Sequence, residues 1–341
     1  MKPFFALLLA AAVLLGCCGC RQSNGLQQFQ TTYFDLFDTV TQVIGFFPSD
    51  ADFQAAADQI YEKLQFYHRL FDIYHDYPGI SNIKTINDQA GIAPVQVDSA
   101  LIDLLLCCKE YYTLTGGKVN FSMGSVLRLW HEARTAGLED PTNARLPDPE
   151  ALSQAAAHTD PDCVIIDKTA STVYLSDPSL SLDVGAIAKG WAAQQVAQIA
   201  PAGLLISIGG NVCVTGPKND QGDPWLVGIQ NPEADGNYLH AIRLTKGSAI
   251  TSGDYQRTYQ VDGVDYHHII DPQTQMPGRF WRSVTVVCED SALGDALSTA
   301  LFLMDLETGK ALAAQVGAEV LWLDLQGQRH TTPGFADLIH T

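Results

Sequence analysis

From residue 163 to residue 323 the sequence consists mainly of short β-type runs, and this pattern leaves few architectures open. Glycine, proline, asparagine and aspartate separate the runs and favour turns, and Asp262-Gly263 suits a type I′ hairpin turn. Only two helical stretches interrupt the runs, at 187–199 and 291–305. This succession favours an α+β fold, with mixed or antiparallel sheets and flanking helices, over a doubly wound parallel sheet. The predicted strands cover residues 163–167, 172–175, 204–208, 225–230, 239–244, 255–261, 264–270, 283–287 and 319–323.

The preceding part of the chain is richer in helical patterns. A capped helix is predicted over 51–75, where apolar residues recur at helical spacing. A second helix is predicted over 99–115, and Gly116-Gly117 would end it. A strand-like run occupies 32–40. We find no internal repeat and no linker, so the sequence predicts a single catalytic domain over 32–341.

The first residues of the chain indicate export. Lys2 precedes an apolar run over 4–15 that is too short to span a bilayer. Leu-Leu-Gly before Cys17 resembles a lipobox, in which the cysteine is diacylated. We therefore predict a lipoprotein signal peptide over 1–16, then a lipidated Cys17 and a flexible tether over 17–31. The protein would be exported and lipid-anchored to the cell membrane, facing outside the cytoplasm; an ordinary secretory signal cleaved nearby is the alternative.

The net charge of −18 limits the classes of ligand. Such a chain repels the phosphate backbone of nucleic acid, so no nucleic-acid partner is expected. It also repels a phosphate ester unless local donors or a metal intervene, which favours a cation in any site for such a ligand. The five cysteines at 107, 108, 163, 213 and 288 are odd in number and lack zinc-type spacing, and we interpret them as core thiols.

The segment 181–191 is the first of four that combine glycine with chemically active side chains. Gly185 lets the backbone approach a ligand, and the N-terminus of the predicted helix can hold an anion. Asp183 and Lys189 place a carboxylate and an ammonium on either side of this turn. Many turns between a strand and a helix look alike, so the spacing alone fits an ordinary turn equally well.

Paired glycines at 209–210 form the second segment, at the end of a predicted strand. They indicate a positive φ or a close backbone approach, and a plain turn explains them best. The third segment runs from 251 to 274 and contains His267 and His268. Adjacent residues on a strand point to opposite faces, so at most one histidine can belong to a given site.

The fourth segment, 290–300, places Asp295 and Thr299 one helical turn apart on the same face. A carboxylate and a hydroxyl, joined by a backbone carbonyl from elsewhere, make a hard oxygen site suited to Mg²⁺. A solvated aspartate and a capping threonine would be the ordinary alternative.

The order and the amino-acid sequences of these segments together resemble the successive signature motifs of the ApbE family, the FAD:protein FMN transferases. The resemblance extends upstream to 37–40 and 117–122, and it covers the chain from residue 34 to residue 336. The matching stretches are Asp-Val-Gly-Ala-Ile-Ala-Lys-Gly at 183–190, Ile-Gly-Gly-Asn at 208–211, Thr-Ser-Gly-Asp-Tyr at 251–255, His-Ile-Ile-Asp-Pro at 268–272 and Asp-Ala-Leu-Ser-Thr-Ala at 295–300.

The resemblance implies an ApbE-like catalytic domain that uses FAD as substrate and Mg²⁺ as cofactor. It would transfer FMN to a Ser or Thr hydroxyl of an acceptor protein, such as a membrane redox subunit, and release AMP. His268 matches the motif histidine and would act as general base. The implied metal ligands are Asp295, Thr299, Ser298 and the backbone carbonyl of Ala186. The implied FAD contacts are Phe37, Lys118, Val119, Asn120, Asp183, Lys189, Ser252, Gly253, Asp254 and Ile269.

Three positions depart from the family pattern. Asn120 stands where the family often has aspartate, Gln275 where it has glycine, and Ala186 where it has the second of two glycines. Other functions stay open beside FMN transfer. With water as acceptor the same site would be an FAD pyrophosphatase, and without turnover the chain would be an FAD-binding lipoprotein. A sugar- or peptide-binding lipoprotein would explain the signal but none of the four segments.

Overall fold

The computed structural model describes residues 25–233 and 237–340. The predicted signal peptide, Cys17 and the start of the tether lie outside the described residues. The strands are β1 Gln27–Leu36, β2 Thr39–Phe47, β3 Val95–Gln96, β4 Val164–Asp167, β5 Thr172–Leu175, β6 Leu204–Ile208, β7 Asn211–Val214, β8 Trp225–Gln230, β9 Tyr238–Leu244, β10 Gly247–Gly253, β11 Tyr259–Val261, β12 Val264–Tyr266, β13 Trp281–Cys288, β14 Glu319–Asp324 and β15 Arg329–Thr331. The helices are α1 Asp50–Phe71, α2 Ile83–Asp88, α3 Ser99–Leu114, α4 Gly124–Glu139, α5 Pro149–Ala156, α6 Ala188–Ile199, α7 Ser291–Phe302, α8 Leu306–Val316 and α9 Phe335–Leu338. None of these helices has both the length and the apolar character needed to cross a membrane.

An eight-stranded sheet organises the molecule, in the order β1-β2-β6-β7-β10-β13-β14-β15. Every neighbouring pair in this sheet is antiparallel. Three smaller antiparallel sheets, β3-β5-β4, β8-β9 and β11-β12, complete the strands. The predicted α+β fold with a single domain is confirmed.

Both faces of the large sheet are buried, by different partners. Alternate residues point to opposite faces of a strand, so neighbours such as Val43 and Ile44 enter different cores. The main core lies between one face and the helices α1, α3, α6 and α7. The second core lies on the other face, where the β8–β9 hairpin and α9 contribute Trp225 and Phe335. The candidate site described below lies on the helical side.

The β1–β2 hairpin corrects two predictions made from sequence. The run at 32–40 is not one strand, because Phe37 and Asp38 have φ values of 53° and 50° and form a tight turn. The predicted tether over 17–31 ends inside β1, since residues 27–31 pair with β2. The domain boundary predicted at residue 32 therefore falls within a strand.

Local capping explains where the helices differ from prediction. The α1 helix ends at Phe71 rather than at residue 75, because the Asp72 carboxylate accepts the Tyr74 and His75 amides. The helix predicted over 291–305 is α7, which ends at Phe302. Asp305 is instead the cap of the next helix, α8, and accepts the amides of its first turn. The α4 helix was not predicted, and it begins without a side-chain cap that could signal its start.

The strands β7 and β10 were not predicted either. Both strands are largely buried, but β10 contains two glycines and three hydroxyl residues, which weaken the β-type signal. The histidines at 267–268 follow β12 instead of lying on it, because that strand ends at Tyr266. The five cysteines among the described residues are free thiols, and two of them, Cys108 and Cys213, are fully buried.

Candidate functional site

The predicted metal ligand Asp295 lies where the helices α6 and α7 approach each other closely. The Gly190 amide donates to Oδ2 of Asp295 at 2.8 Å. A Cβ atom on Gly190 would lie 2.5 Å from the Asp295 Cβ, so only glycine permits this approach. In a continuous helix the Gly190 amide would donate to the Ala186 carbonyl. The Asp295 carboxylate takes that amide instead, so it lies at the N-terminus of α6, which begins two residues after Ala186.

Asp295 is a buried carboxylate whose negative charge is only partly compensated by its neighbours. Its residue surface is 4% exposed, and burial raises its pKa above the ordinary value. The Lys189 ammonium opposes this shift from 3.8 Å, and the Gly190 amide opposes it as well. Lys189 also donates to the Gly185 carbonyl at 3.1 Å. A buried carboxylate in this state favours a bound cation.

The remaining predicted ligands differ in how free their oxygens are. The Ser298 hydroxyl donates to the Asp295 carbonyl at 3.0 Å and lies 2.8 Å from the Ser252 hydroxyl on β10. It therefore fastens β10 to α7. Thr299 is half-buried, and its hydroxyl makes no hydrogen bond to another described residue. Asp295, Thr299 and the Ala186 carbonyl are thus the oxygens that fit a metal.

This donor set is unlike a site built from several charged ligands. Within residues 25–233 and 237–340, no group of three His, Cys, Asp or Glu side chains could hold a metal ion. One carboxylate, a hydroxyl and a carbonyl are all hard oxygen donors, which Mg²⁺ prefers, and Mg²⁺ commonly keeps waters or substrate phosphates as further ligands.

Asp183 lies at the turn before α6. Its Oδ1 accepts the Gly185 amide at 2.8 Å, which fixes the turn. Burial raises the pKa of Asp183, while the charges of Arg257 and Lys189 act in the opposite direction. The Lys189 ammonium therefore acts on the Asp183 carboxylate across this turn.

The glycine pair at 209–210 proves to be the plain turn. It joins β6 to β7, and Ile208 pairs with Asn211 across it. Gly209 has a φ of 59°, and a Cβ there would lie 2.6 Å from the Thr39 hydroxyl. The turn therefore needs glycine for backbone packing against β2.

His267 is a structural histidine in a fixed tautomer. Its Nε2 lies 2.8 Å from the Gly278 carbonyl, which can only accept, so Nε2 carries the proton. Its Nδ1 then accepts the Ile269 amide at 3.2 Å. Burial lowers the pKa of His267 to about 4, and the ring packs edge-on against Phe302. The neutral ring fixes the backbone that follows it.

His268 faces the other way and is partly exposed. Its Nδ1 lies 3.2 Å from the Gln256 carbonyl, so Nδ1 is the donor and Nε2 keeps a free lone pair. Burial, reinforced by the charge of Arg257, lowers the pKa of His268 to about 3. The ring is therefore neutral near pH 7, with Nε2 able to accept a proton. The two histidines thus differ in exposure and in hydrogen-bond partners, although they do not lie on a strand as predicted.

Three neighbouring residues predicted to contact FAD are engaged within the protein. The Lys118 ammonium lies 2.8 Å from Oδ2 of Asp271, and both side chains are largely buried. Val119 is 2% exposed. Asn120 donates to the Thr159 carbonyl at 2.9 Å and accepts from the Ser122 amide. In this arrangement all three support the loop between α3 and α4.

Further predicted contacts have partners of their own. The Asp254 carboxylate forms an ion pair with Arg282 on β13, with Oδ2 and Nε 2.8 Å apart. Gly253 backs onto the Tyr255 ring, which leaves no room for a side chain. Ile269 is 6% exposed, and its carbonyl accepts the Gly278 amide. Phe37 stays half-buried at the β1–β2 turn, where its amide donates to His68.

The sequence analysis missed a cluster of four residues, two of whose charges act on His268, and we call it the Arg134 patch: Tyr74, His131, Arg134 and Arg257. The Tyr74 and His131 rings lie 5.6 Å apart, and Nη2 of Arg134 lies 3.0 Å from Nδ1 of His131. His131 and Arg134 are one turn apart on α4, so recognising that helix would have paired them.

Comparison with known proteins points to one family. The profile of the ApbE family matches residues 37–322. A curated FAD:protein FMN transferase from Treponema pallidum is 32% identical over 310 residues, which is 85% of this chain and 82% of that protein. One from Klebsiella pneumoniae is 32% identical over 270 residues, covering 77% and 79%. The crystal structure of the ApbE protein from Thermotoga maritima has a TM-score of 0.80 and 30% identity, covering 92% of this chain and 100% of that one.

Proposed function

Because the chain belongs to the ApbE family, whose curated relatives are FAD:protein FMN transferases, we propose that it is a Mg²⁺-dependent enzyme of this kind. It would transfer FMN from FAD to a Ser or Thr hydroxyl of an acceptor protein and release AMP. The observation that carries the proposal is the meeting of the Asp295 carboxylate with the N-terminus of α6, beside Lys189. This is where an acidic protein can accept a diphosphate.

Asp295, Thr299 and the Ala186 carbonyl would hold the metal. When bound there, Mg²⁺ would neutralise charge on the diphosphate oxygens and ease departure of AMP. Lys189 lies at the same carboxylate and would add a positive charge toward the phosphates. The raised pKa of Asp295 supports this assignment, because the chain alone does not fully compensate its charge.

His268 would act on the acceptor hydroxyl. Its Nε2 has a free lone pair, because Nδ1–H is committed to the Gln256 carbonyl. The hydroxyl oxygen would attack the phosphorus of the FMN half, and its proton would pass to Nε2. The bond from that phosphorus to the bridging oxygen breaks, and AMP leaves with the bridging oxygen. A positioned base of this kind contributes about 10²–10⁴-fold to the rate.

The lipid anchor at Cys17 and the class of acceptor stay predictions from the sequence. An acceptor that is an exported or membrane redox subunit would share a compartment with an anchored enzyme.

The decisive experiment incubates the purified protein with FAD and Mg²⁺, with and without a flavoprotein domain that carries a flavinylation threonine. AMP release and the intact mass of the acceptor are measured together. We expect the acceptor to gain FMN as AMP appears, and both signals to disappear with EDTA or in Asp295→Asn. Asp337→Asn, an exposed carboxylate on α9, is the matched control and should behave as the wild type.

The other outcomes would change the assignment. AMP and free FMN without acceptor labelling would indicate an FAD pyrophosphatase. FAD binding without AMP under any condition would contradict both enzyme functions and leave a flavin-binding protein.

A further inference from the structure

Lys118 contacts the loop that carries His268. Its ammonium lies 2.8 Å from Oδ2 of Asp271 and donates to Oε1 of Gln273 at 3.0 Å. The side chains of Lys118 and Asp271 are 15% and 11% exposed, so water screens this ion pair less than it screens a surface pair. The sequence predicted Lys118 as an FAD contact, whereas in the structure its ammonium binds the loop.

Asp271 joins this ion pair to the backbone of the loop. Its Oδ1 accepts the Gln273 amide at 2.8 Å, and its carbonyl accepts the Gln275 amide at 2.8 Å. The Asp271 amide donates to the Met276 carbonyl, which closes the turn. Because one carboxylate contacts both the ammonium and the turn, a change at Lys118 acts on the backbone of the loop.

The connection from Asp271 to His268 is short and buried. Ile269 and Ile270 separate the two residues, and their side chains enter two different hydrophobic clusters. On the other side, Nδ1 of His268 donates to the Gln256 carbonyl at 3.2 Å. The His268 ring is therefore positioned from two directions, by this hydrogen bond and by the segment that Asp271 anchors.

Lys118 itself is held by the end of α3. Gly116 and Gly117 have φ values of 60° and 83°, and they turn the chain sharply after the helix. The Lys118 amide donates to the carbonyl of the buried Thr115 at 3.3 Å. The Lys118–Asp271 pair therefore connects the His268 loop to a helix of the main core.

We propose that Lys118 is a positioning residue for His268, which acts through Asp271 and sets the rate of FMN transfer rather than the affinity for FAD. The inference rests on the proposed function, because it takes His268 as the base that receives the acceptor's proton. A displacement of about 1 Å at a reacting group can cost about 10²-fold in rate, so an ion pair that fixes this loop affects the chemical step.

Steady-state kinetics of the purified protein test this role, with AMP release and acceptor mass as readouts. Lys118→Met removes the ammonium, and it should lower kcat by roughly tenfold and leave the KM for FAD within about twofold. Lys118→Arg keeps a positive charge that can pair with Asp271 and should recover part of the rate. The matched control is Lys109→Met, which should leave kcat unchanged, because Lys109 lies on α3 and donates to the distant Pro161 carbonyl.

Two double variants separate positioning from stability. Lys118→Met leaves the Asp271 carboxylate unpaired and should lower the melting temperature by roughly 5 °C, and adding Asp271→Asn should restore most of this loss. The kcat should stay low in that double variant, because the ion pair is still absent. In the His268→Asn background, Lys118→Met should lower kcat by less than about twofold, since the group that it positions has been removed.

Hydrogen exchange gives a readout that does not depend on activity. In Lys118→Met the protected amides of the loop 267–278 should exchange roughly tenfold faster, whereas those of α7 should not change. Unchanged exchange in the loop would overturn the proposal.

Three kinetic results would also overturn it. A raised KM for FAD with an unchanged kcat would make Lys118 an FAD ligand. A kcat that recovers together with the melting temperature in Lys118→Met/Asp271→Asn would make the pair merely structural, as would an equal loss of kcat with and without His268. Absence of AMP release by the wild type would instead contradict the proposed function, and the exchange measurement would still test the effect of Lys118 on the loop.

Discussion

The α6–α7 junction and the loop 267–278 place the two halves of the candidate chemistry by different means. At the junction, Gly190 lets two buried helices approach, and its amide bonds directly to Asp295. The loop has no regular structure and is held by polar contacts, among them Lys118 with Asp271 and Trp130 with the Gln275 carbonyl. The Asp295 side is therefore part of the core, whereas the His268 side is fastened to it.

Burial favours the neutral form of the titratable groups in both regions, but the consequence at neutral pH differs. Burial raises the pKa of Asp295, so the folded state carries a cost at neutral pH that a bound cation would offset. Burial lowers the pKa of His267 and His268, so the folded state favours neutral rings. We infer that a substitution at the junction affects mainly stability, whereas a substitution of His268 in the loop can remove activity and leave the fold intact.

The largest expected effect comes from His268, on the loop side. His268→Asn removes the proposed base and should lower the rate of acceptor flavinylation by about 10²–10⁴-fold. The ring is partly exposed, so the melting temperature should stay within about 3 °C of the wild type. Initial rates from acceptor mass and thermal unfolding provide the two readouts.

The matched control is His75→Asn, because that histidine is exposed. An unchanged flavinylation rate in His268→Asn would show that His268 is not the base. A large loss of stability would show that the loop is as integral to the core as the junction.

A smaller effect is expected from His267 as the pH falls. Its pKa is depressed from 6.5 to about 4 by folding, so the unfolded chain binds the extra proton between these values. The contribution to stability is present above pH 6.5 and is lost as the pH falls toward 4. About 2 kcal/mol should disappear between pH 7 and pH 5.

Urea unfolding at both pH values measures this loss, with His267→Gln as the variant that cannot titrate. The wild type should lose about 2 kcal/mol more than the variant over that interval. Equal losses would mean that His267 is not held neutral, and the contrast between the two regions would weaken.

The third prediction concerns the junction. Gly190→Ala inserts a methyl group where the Asp295 Cβ and the Ser291 backbone already lie, and should cost about 1–3 kcal/mol of unfolding free energy. Gln198→Ala, on the exposed face of the same helix, should change it by less than about 0.5 kcal/mol. Urea unfolding measures both. A neutral Gly190→Ala would show that the two helices can separate without cost.

Much of the fold was accessible from the sequence where apolar patterning was strong. The bounds of β5, β6 and β8 were predicted to the residue, because their apolar runs lie between clear turn residues. The strands β7 and β10 and the helix α4 were missed, because their packing partners, rather than their own composition, decide their structure.

The candidate site could likewise be predicted only where its residues lie close together in the sequence. Asp295, Ser298 and Thr299 share one helix, so their spacing could place them together. The engagement of Lys118 with Asp271, and of Asp254 with Arg282, depends on segments distant in sequence. The Arg134 patch joins three such segments, and only the pairing of His131 with Arg134 on α4 follows a local pattern.

The order of strands in the large sheet has a consequence for folding kinetics. The second neighbour of β2 in the sheet is β6, and Gly45 pairs with Leu204. Most of the N-terminal half of the chain lies between these two residues in sequence. Closing so long a loop costs entropy before any contact repays it, and such topologies fold slowly. Until β6 has been synthesised, β2 has one open edge, and the helices between them have no completed sheet to cover. The N-terminal half should therefore stay incompletely folded until the glycine turn at 209–210 brings β6 and β7 into place.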